Sequence, residues 1–234
     1  MFTRIRGLFN TLSALFLTGF FSVLALISLV VKPGGSIARY IAYRAWPVSL
    51  LFVCGIKVER FGAEKLKKDE AYIYVSSHSS LLDIPVIFSS LPHFAAMVTK
   101  KELFRLPFFG AAMRRAGCIE LDRSNSASAI ETLNRNAEKI KSGMSVCIFP
   151  EGTRSRDGVL KEFKKGAFIM AQAARAVIVP IIVEGTNEAL PPKKFLMKSG
   201  KTKIYVLDFI TMPPKTPEGE DALKAERDDL LLRT

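Results

Sequence analysis

Two kinds of hydrophobic pattern divide the chain. From Gly7 to Val31 the run GLFNTLSALFLTGFFSVLALISLVV carries no charge, with Arg4 and Arg6 before it and Lys32 after it. At ~1.5 Å per residue, a helix of this length can cross a hydrocarbon core of ~30 Å. A cleaved signal peptide has an apolar region of about 7–15 residues ending in a small-residue cleavage site. This run is longer and LVVKPGG offers no such site, so a retained anchor is expected. After Pro33-Gly34-Gly35 comes a second apolar segment, SIARYIAYRAWPVSLLFVCGI. It carries Arg39 and Arg44 among Tyr40, Tyr43 and Trp46, residues suited to a membrane interface where long cations snorkel. A full span and a helical hairpin dipping into one leaflet both satisfy this pattern.

From about Ile56 onward, short apolar runs alternate with helical stretches. AYIYV (71–75), FAAMV (94–98), CIEL (118–121), VCIF (146–149), VIVPIIV (177–183) and KIYVLDF (203–209) are expected as strands. SASAIETLNRNAEKIKSG places Ile130, Leu133, Ala137 and Ile140 at helical spacing, with Gly143 as the terminator. The expected architecture is therefore an α/β domain over residues 56–234, with a mixed, largely parallel sheet flanked by helices. A hydrophobic, membrane-anchoring helical hairpin in residues 1–55 precedes it, and a short charged helix at about 217–232 closes the chain.

Composition adds weight to the membrane reading. Hydrophobic residues make up 49% of the 234 and mean hydropathy is +0.21. Lysine and arginine number 34 against 22 acidic residues, a net charge of +12. Beside an apolar N-terminus, that charge suits anionic lipid headgroups or a phosphorylated substrate. No helix-turn-helix, zinc-finger or RNA-recognition signature accompanies it, which argues against a nucleic-acid partner. Cys54, Cys118 and Cys147 lie in apolar surroundings without paired spacing, as expected of buried free thiols in a reducing compartment. With two isolated histidines, no protein metal site is expected.

Three polar clusters follow predicted strands, where open α/β sheets gather their chemistry. The first, SSHSSLLD (76–83), holds His78 and Asp83. On a regular helix these would sit about 140° apart, so they meet only if the chain bends between them. Pro85 supports a helix start nearby. If they meet, the imidazole is a base for a hydroxyl proton and the carboxylate fixes its tautomer; otherwise Asp83 is a helix cap and His78 a loop residue. No Gly-x-Ser-x-Gly elbow exists to make one of the serines a nucleophile. His93, in SLPHF, is expected as a loop or surface residue. The second cluster, LDRSN (121–125), offers Asp122 and Arg123, as a structural pair or as a ligand contact. The third, FPEGTRSRDG, turns after a strand, with a glycine that lets backbone approach an anion and arginines that fork onto phosphate. KKELFRLPFFG sets Lys100 and Lys101 before a phenylalanine-rich stretch, a basic head beside an apolar body that suits a phosphate-bearing lipid.

Taken together, these blocks resemble the glycerolipid acyltransferases, and most closely the 1-acyl-sn-glycerol-3-phosphate acyltransferases. Residues 77–83 match that family's Asn-His-x-x-x-x-Asp motif, with Ser77 in place of asparagine. GCIELDR (117–123) is similar to its second block, and Phe149-Pro-Glu-Gly-Thr-Arg-Ser155 matches the third in full. Ile178-Val179-Pro180-Ile181 is similar to the fourth; KKELFRLPFFG and FKKGAF look like linking segments. The resemblance spans roughly residues 56–190, in order. It implies transfer of a fatty acyl group from acyl-CoA or acyl carrier protein to the sn-2 hydroxyl of lysophosphatidic acid, giving phosphatidic acid without a cofactor. It further implies His78 as base, Asp83 as its orienter, and Arg154, Glu151, Gly152 and Thr153 at the acceptor phosphate, with Arg123 a second candidate. Lys100 or Lys101 is a further candidate on charge alone. The expected donors and reduced thiols place the site on the cytoplasmic face of a membrane, the inner one in a bacterium. The competing readings are another acceptor (glycerol 3-phosphate, another lysophospholipid or a lyso-aminolipid), a thioesterase, and a catalytically silent lipid-binding member of the fold.

Overall fold

The computed structural model describes residues 2–32, 35–122, 126–155 and 161–211. Arg123 and the helix expected at about 217–232 lie outside the described residues.

The long apolar run forms α1 (Phe2–Val31). A second helical run, made of α2 (Ser36–Tyr40), a π turn (Ile41–Ala45) and α3 (Trp46–Val53), folds back along it. The return is antiparallel: Ala25 packs with Ala38 and Ile41, the Trp46 indole donates to Thr18 Oγ1 at 3.1 Å, and Asn10 donates to the Cys54 carbonyl at 3.1 Å. Pro47 has no N–H to return to the carbonyl of Tyr43, and the turn before it widens into the π turn.

The inner side of α1 is small and polar: Asn10, Thr11, Ala14, Ser22, Ala25 and Ser28 are buried. Its outer side is large and apolar, with Phe16 70% and Val30 84% exposed beside Phe9, Leu12, Phe20 and Ile27. Soluble helices place their apolar stripe inward. Here small residues allow close docking on the protein, and the apolar surface is left for a surrounding that is not water.

The sheet comprises β1 (Ile56–Phe61), β2 (Tyr72–Ser76), β3 (Ala95–Lys100), β4 (Ile119–Leu121), β5 (Ser145–Ile148), β6 (Val177–Glu184), β7 (Gly200–Val206) and β8 (Ile210–Thr211). Their order is β1-β7-β6-β2-β5-β3-β4, with β8 also on β6. All pairings are parallel except β6 with β7 and with β8. Both antiparallel partners lie on one edge of β6, separated where Pro180 lacks a ladder donor and only its carbonyl is used, by Leu207 N–H.

Alternate side chains feed two cores. Tyr72, Tyr74, Met97, Val179 and Ile181 face α3 and α4 (Asp83–Ser90), while Ile73, Val75, Val146 and Ile178 face α6 (Ser126–Lys141) and α7 (Gly166–Ala174). α6 buries Leu133, Ala137 and Ile140 and ends at Gly143, whose φ of +96° and flanking Met144 N–H to Lys139 carbonyl bond close the last turn. α5 (Phe109–Ala116) packs against α1. The mixed, largely parallel sheet flanked by helices, behind an apolar helical hairpin, is the architecture expected from the sequence pattern. Two strands were not expected, β1 and β8. The first sits at the sheet edge with Lys57, Glu59, Arg60 and Phe61 exposed, so it carries little of the apolar signal of a buried strand.

Candidate active site

Parallel strands carry their carboxyl ends to one rim. β2 delivers His78 there, its neighbour β5 delivers Glu151 to Arg154, and β6 on the other side delivers Thr186, the first residue of α8 (Thr186–Ala189). β3 and β4 end on the same rim with Lys101 and Asp122.

Between β2 and α4 the chain does bend. Residues 77–80 are loop, 81 and 82 form a turn, and helix begins at Asp83. Ser80 holds the bend by donating its hydroxyl to the Leu190 carbonyl at 2.8 Å and accepting the Leu82 N–H at 3.2 Å. Asp83 therefore folds back beneath the histidine. Its Oδ2 meets His78 Nδ1 at 2.8 Å and accepts the N–H groups of Ser79 and Ser80, each at 2.8 Å. Its Oδ1 accepts the Thr186 hydroxyl. The carboxylate is fully buried at the N-terminus of α4, where the helix dipole favours it. It is not a cap for its own helix, whose N-cap position is Leu82, without a side-chain cap.

The imidazole is fixed on its face as well as its edge. It stacks on Phe149, with centroids 3.9 Å apart and planes at 12°. Its backbone is clamped too: His78 N–H donates to Glu151 Oε1 at 2.8 Å, and the His78 carbonyl accepts Ser155 N–H at 2.7 Å. The His78 side chain stays 14% exposed and Nδ1 is committed to the carboxylate, which leaves Nε2 as the nitrogen that can take a proton from outside. The positive charge that results is shared with Asp83. Among the described residues no serine hydroxyl hydrogen-bonds this ring.

Glu151 is engaged with the backbone on both sides of the site. Its buried carboxylate accepts the N–H groups of His78 and of Lys161, the second at 3.2 Å. Burial raises its pKa above the ordinary carboxylate value, against the pull of those two hydrogen bonds. The Lys101 ammonium is 2.6 Å from Asp122 Oδ2. Lys100 is exposed at the end of β3. Gly152 turns the chain with φ +73°, Thr153 is exposed and Arg154 half-buried.

Two cations beside this turn were missed. Lys161 Nζ reaches the Arg154 carbonyl at 3.5 Å, and a Cβ on Gly152 would stand 3.3 Å from Lys164 Nζ. The signal was present as FKKGAF and its preceding Lys161, but nothing in the pattern indicates that this segment folds back. Thr186 was missed as well, although GTNE follows a strong apolar strand.

An apolar cavity of about 120 Å³ lies between the helical hairpin, α4 and α5. Ile84, next in the chain to Asp83, lines it, together with Phe88, Met97, Ala112 of α5, Ala42 of the π turn and Ala25 of α1. The cysteines stand apart from this chemistry. Burial pushes the Cys54 and Cys118 thiols up to about 11 and that of Cys147 to about 12, so none is a thiolate at neutral pH. His93, expected as a loop or surface residue, lies in a bend and is half-buried at the opposite end of β2, where Nε2 meets Ser145 Oγ at 2.7 Å and Tyr74 Oη at 3.1 Å; burial lowers its pKa.

A histidine oriented by a buried carboxylate at the carboxyl rim of a parallel sheet is an arrangement that can accept a proton from a hydroxyl group. The chain belongs to the acyltransferase family, whose model, described as Acyltransferase, matches residues 57–184. It is 34% identical over 218 residues to the 1-acyl-sn-glycerol-3-phosphate acyltransferase of Saccharomyces cerevisiae, covering 91% of this chain and 71% of the yeast protein. To the chloroplastic 1-acyl-sn-glycerol-3-phosphate acyltransferase LPAT1 of Arabidopsis thaliana it is 33% identical over 210 residues, 87% of this chain and 58% of the plant protein. The chain thus spans a little over half of the chloroplast relative. Its fold matches the crystal structure of the 1-acyl-sn-glycerophosphate acyltransferase PlsC from Thermotoga maritima, with a TM-score of 0.75 at 23% identity, covering 97% and 98% of the two chains. The apolar outer side of α1 together with this family membership makes the protein a membrane-associated acyltransferase.

Proposed function

We propose that the protein acylates the sn-2 hydroxyl of 1-acyl-sn-glycerol 3-phosphate from a thioester donor, acyl-CoA or acyl carrier protein, to give phosphatidic acid. The observation that carries this reading is the pairing of His78 Nδ1 with buried Asp83, whose chain neighbour Ile84 lines an apolar cavity. His78 Nε2 takes the proton of the acceptor hydroxyl as its oxygen attacks the thioester carbonyl. The tetrahedral intermediate then expels the thiolate, which recovers that proton from the imidazolium. One C–O bond forms and one C–S bond breaks; no acyl-enzyme and no cofactor enter. General-base help of this kind is worth about 10²–10⁴ in rate, and positioning supplies much of the remainder.

Arg154, with Lys161 and Lys164 beside it, is the cation group for the acceptor phosphate; exposed Lys100 is a second. The acyl chain extends into the cavity between α1, α4 and α5. The hairpin lies in one leaflet, because Asn10 and Thr11 of α1 are bonded to Met197 and Phe195 of the α/β domain, so the helix runs beside that domain instead of away from it. Donors that are cytosolic place the rim on the cytoplasmic side.

The test is product analysis with purified protein in mixed micelles. Lysophosphatidic acid, glycerol 3-phosphate and lysophosphatidylcholine are each offered with palmitoyl-CoA or palmitoyl acyl carrier protein. Phosphatidic acid from the first acceptor is expected. Acylation of another acceptor alone, or free fatty acid alone, overturns the proposal.

A further inference from the structure

At the end of α4 away from the dyad, about 12 Å along its eight residues, is an open groove of about 710 Å³. Arg44, Arg60, Lys68, Tyr40 and Tyr43 line it. Arg44 arrives from the π turn and Arg60 from β1, whose register with β7 sets it beside Ile204, on the α4 face of the sheet. Both guanidinium groups converge on one atom, the Ser89 carbonyl, from Arg44 Nη1 at 2.9 Å and Arg60 Nη2 at 3.4 Å. Arg60 also donates to Ser90 Oγ at 3.1 Å and to the Val58 carbonyl at 3.3 Å.

One arginine is enough to satisfy the end of a helix, whose dipole amounts to about half a negative charge. Two leave an excess of positive charge, and among the described residues neither forms an ion pair. Their mutual repulsion registers in Arg60, whose pKa is lowered by burial and by Arg44. An isolated like-charge pair of this kind is stabilised by an anion, and guanidinium forks match phosphate oxygens. Among the described residues Arg44 spends a single donor on protein, which leaves most of its fork for a ligand.

The groove's rim says where that anion comes from. Tyr40 and Val48, 54% and 46% exposed, border it and are continuous with Phe52 of α3, 83% exposed, one turn beyond Val48. The cationic groove therefore opens beside the same apolar hairpin that α1 presents outward. We propose that this groove binds the phosphate of an anionic phospholipid headgroup, held between Arg44 and Arg60, as a site separate from the acyltransfer rim.

Vesicle flotation tests it, using the full chain with phosphatidylcholine alone or with about 30% phosphatidylglycerol. Arg44→Gln/Arg60→Gln is compared with Lys201→Gln/Lys203→Gln. The control removes the same two charges from β7, at positions whose register sets them beside Lys57 and Glu59 on the other face of the sheet from Arg60. At about 1 kcal/mol per basic residue near an anionic surface, the arginine pair is expected to lose about 30-fold in affinity for the mixed vesicles and little for phosphatidylcholine. The lysine control loses less than about 3-fold. Arg44→Gln alone removes one hydrogen bond and spares the fold, and loses about 5-fold. Equal losses in both double variants, or none in the arginine variants, overturn the site. Wild type that binds phosphatidylcholine vesicles as tightly as the mixed vesicles, while inorganic phosphate protects it in thermal melts and the double arginine variant is not protected, overturns the lipid as its ligand.

Discussion

Asp83→Asn separates the charge of the dyad from its geometry. Oδ2 faces three N–H donors, from His78, Ser79 and Ser80, so an asparagine places its carbonyl oxygen there. Its amide then faces Thr186, whose hydroxyl turns from donor to acceptor. The loop and the imidazole tautomer both survive, which distinguishes this site from a triad where the same change inverts the tautomer and costs about 10⁴. What is lost is the attraction between imidazolium and carboxylate. Unit charges about 4 Å apart at an effective dielectric of about 20 attract by about 4 kcal/mol, and a half-transferred proton realises about 2. The expected fall in turnover is therefore about 30-fold to 10³-fold. Tm should move by less than about 3 °C, since 1 kcal/mol shifts a chain of this size by about 2–4 °C. Asp83→Ala instead strands two backbone N–H groups and a hydroxyl, at about 1–3 kcal/mol each, and should lower Tm by at least about 6 °C. Initial acyl-transfer rates and differential scanning fluorimetry in detergent read both quantities. Asp83→Asn within about 3-fold of wild type, at unchanged Tm, refutes a role for that charge.

Three further outcomes follow from the site's surroundings. Glu151 has a raised pKa in the fold, so its contribution to stability is full below the unfolded value of about 4.5 and declines as pH rises through the folded one. Glu151→Gln cannot ionise, so its Tm relative to wild type should become more favourable from pH 5 to pH 8; a flat or opposite trend in thermal melts contradicts the buried carboxylate. Gly185 has φ +81° and a Cβ there would stand 2.5 Å from the Lys201 carbonyl, so Gly185→Ala should lose more than about 2 kcal/mol in denaturant titration and drag Thr186 from Asp83. Ala112→Phe fills the apolar cavity and should cut turnover with palmitoyl donors by more than about 10-fold while sparing short-chain donors; equal loss across a donor series removes the acyl chain from that cavity.

How far the sequence went depends on the range over which each feature acts. Strand positions and the shared rim were legible because buried parallel strands read as continuous apolar runs and their ends carry the polar clusters. The meeting of His78 and Asp83 was legible only as a condition, since a bend of a few residues decides it. Glu151 and Thr186 were not legible in their roles, because their partners lie 73 and 103 positions away. The same holds for Lys101, whose pairing with Asp122 follows from the register that sets Lys100 opposite Leu121. In α1 the apolar run dominated the pattern. The inward stripe through Asn10, Ala14 and Ala25 reports docking, but not against which surface.

His78→Ala is the most direct test of the base assignment, because the backbone N–H that Glu151 holds is retained and only the ring is removed. Single-turnover transfer from labelled acyl-CoA to lysophosphatidic acid should fall by at least about 10², with Tm showing a folded protein. Transfer at the wild-type rate by the folded variant would contradict proton removal by His78.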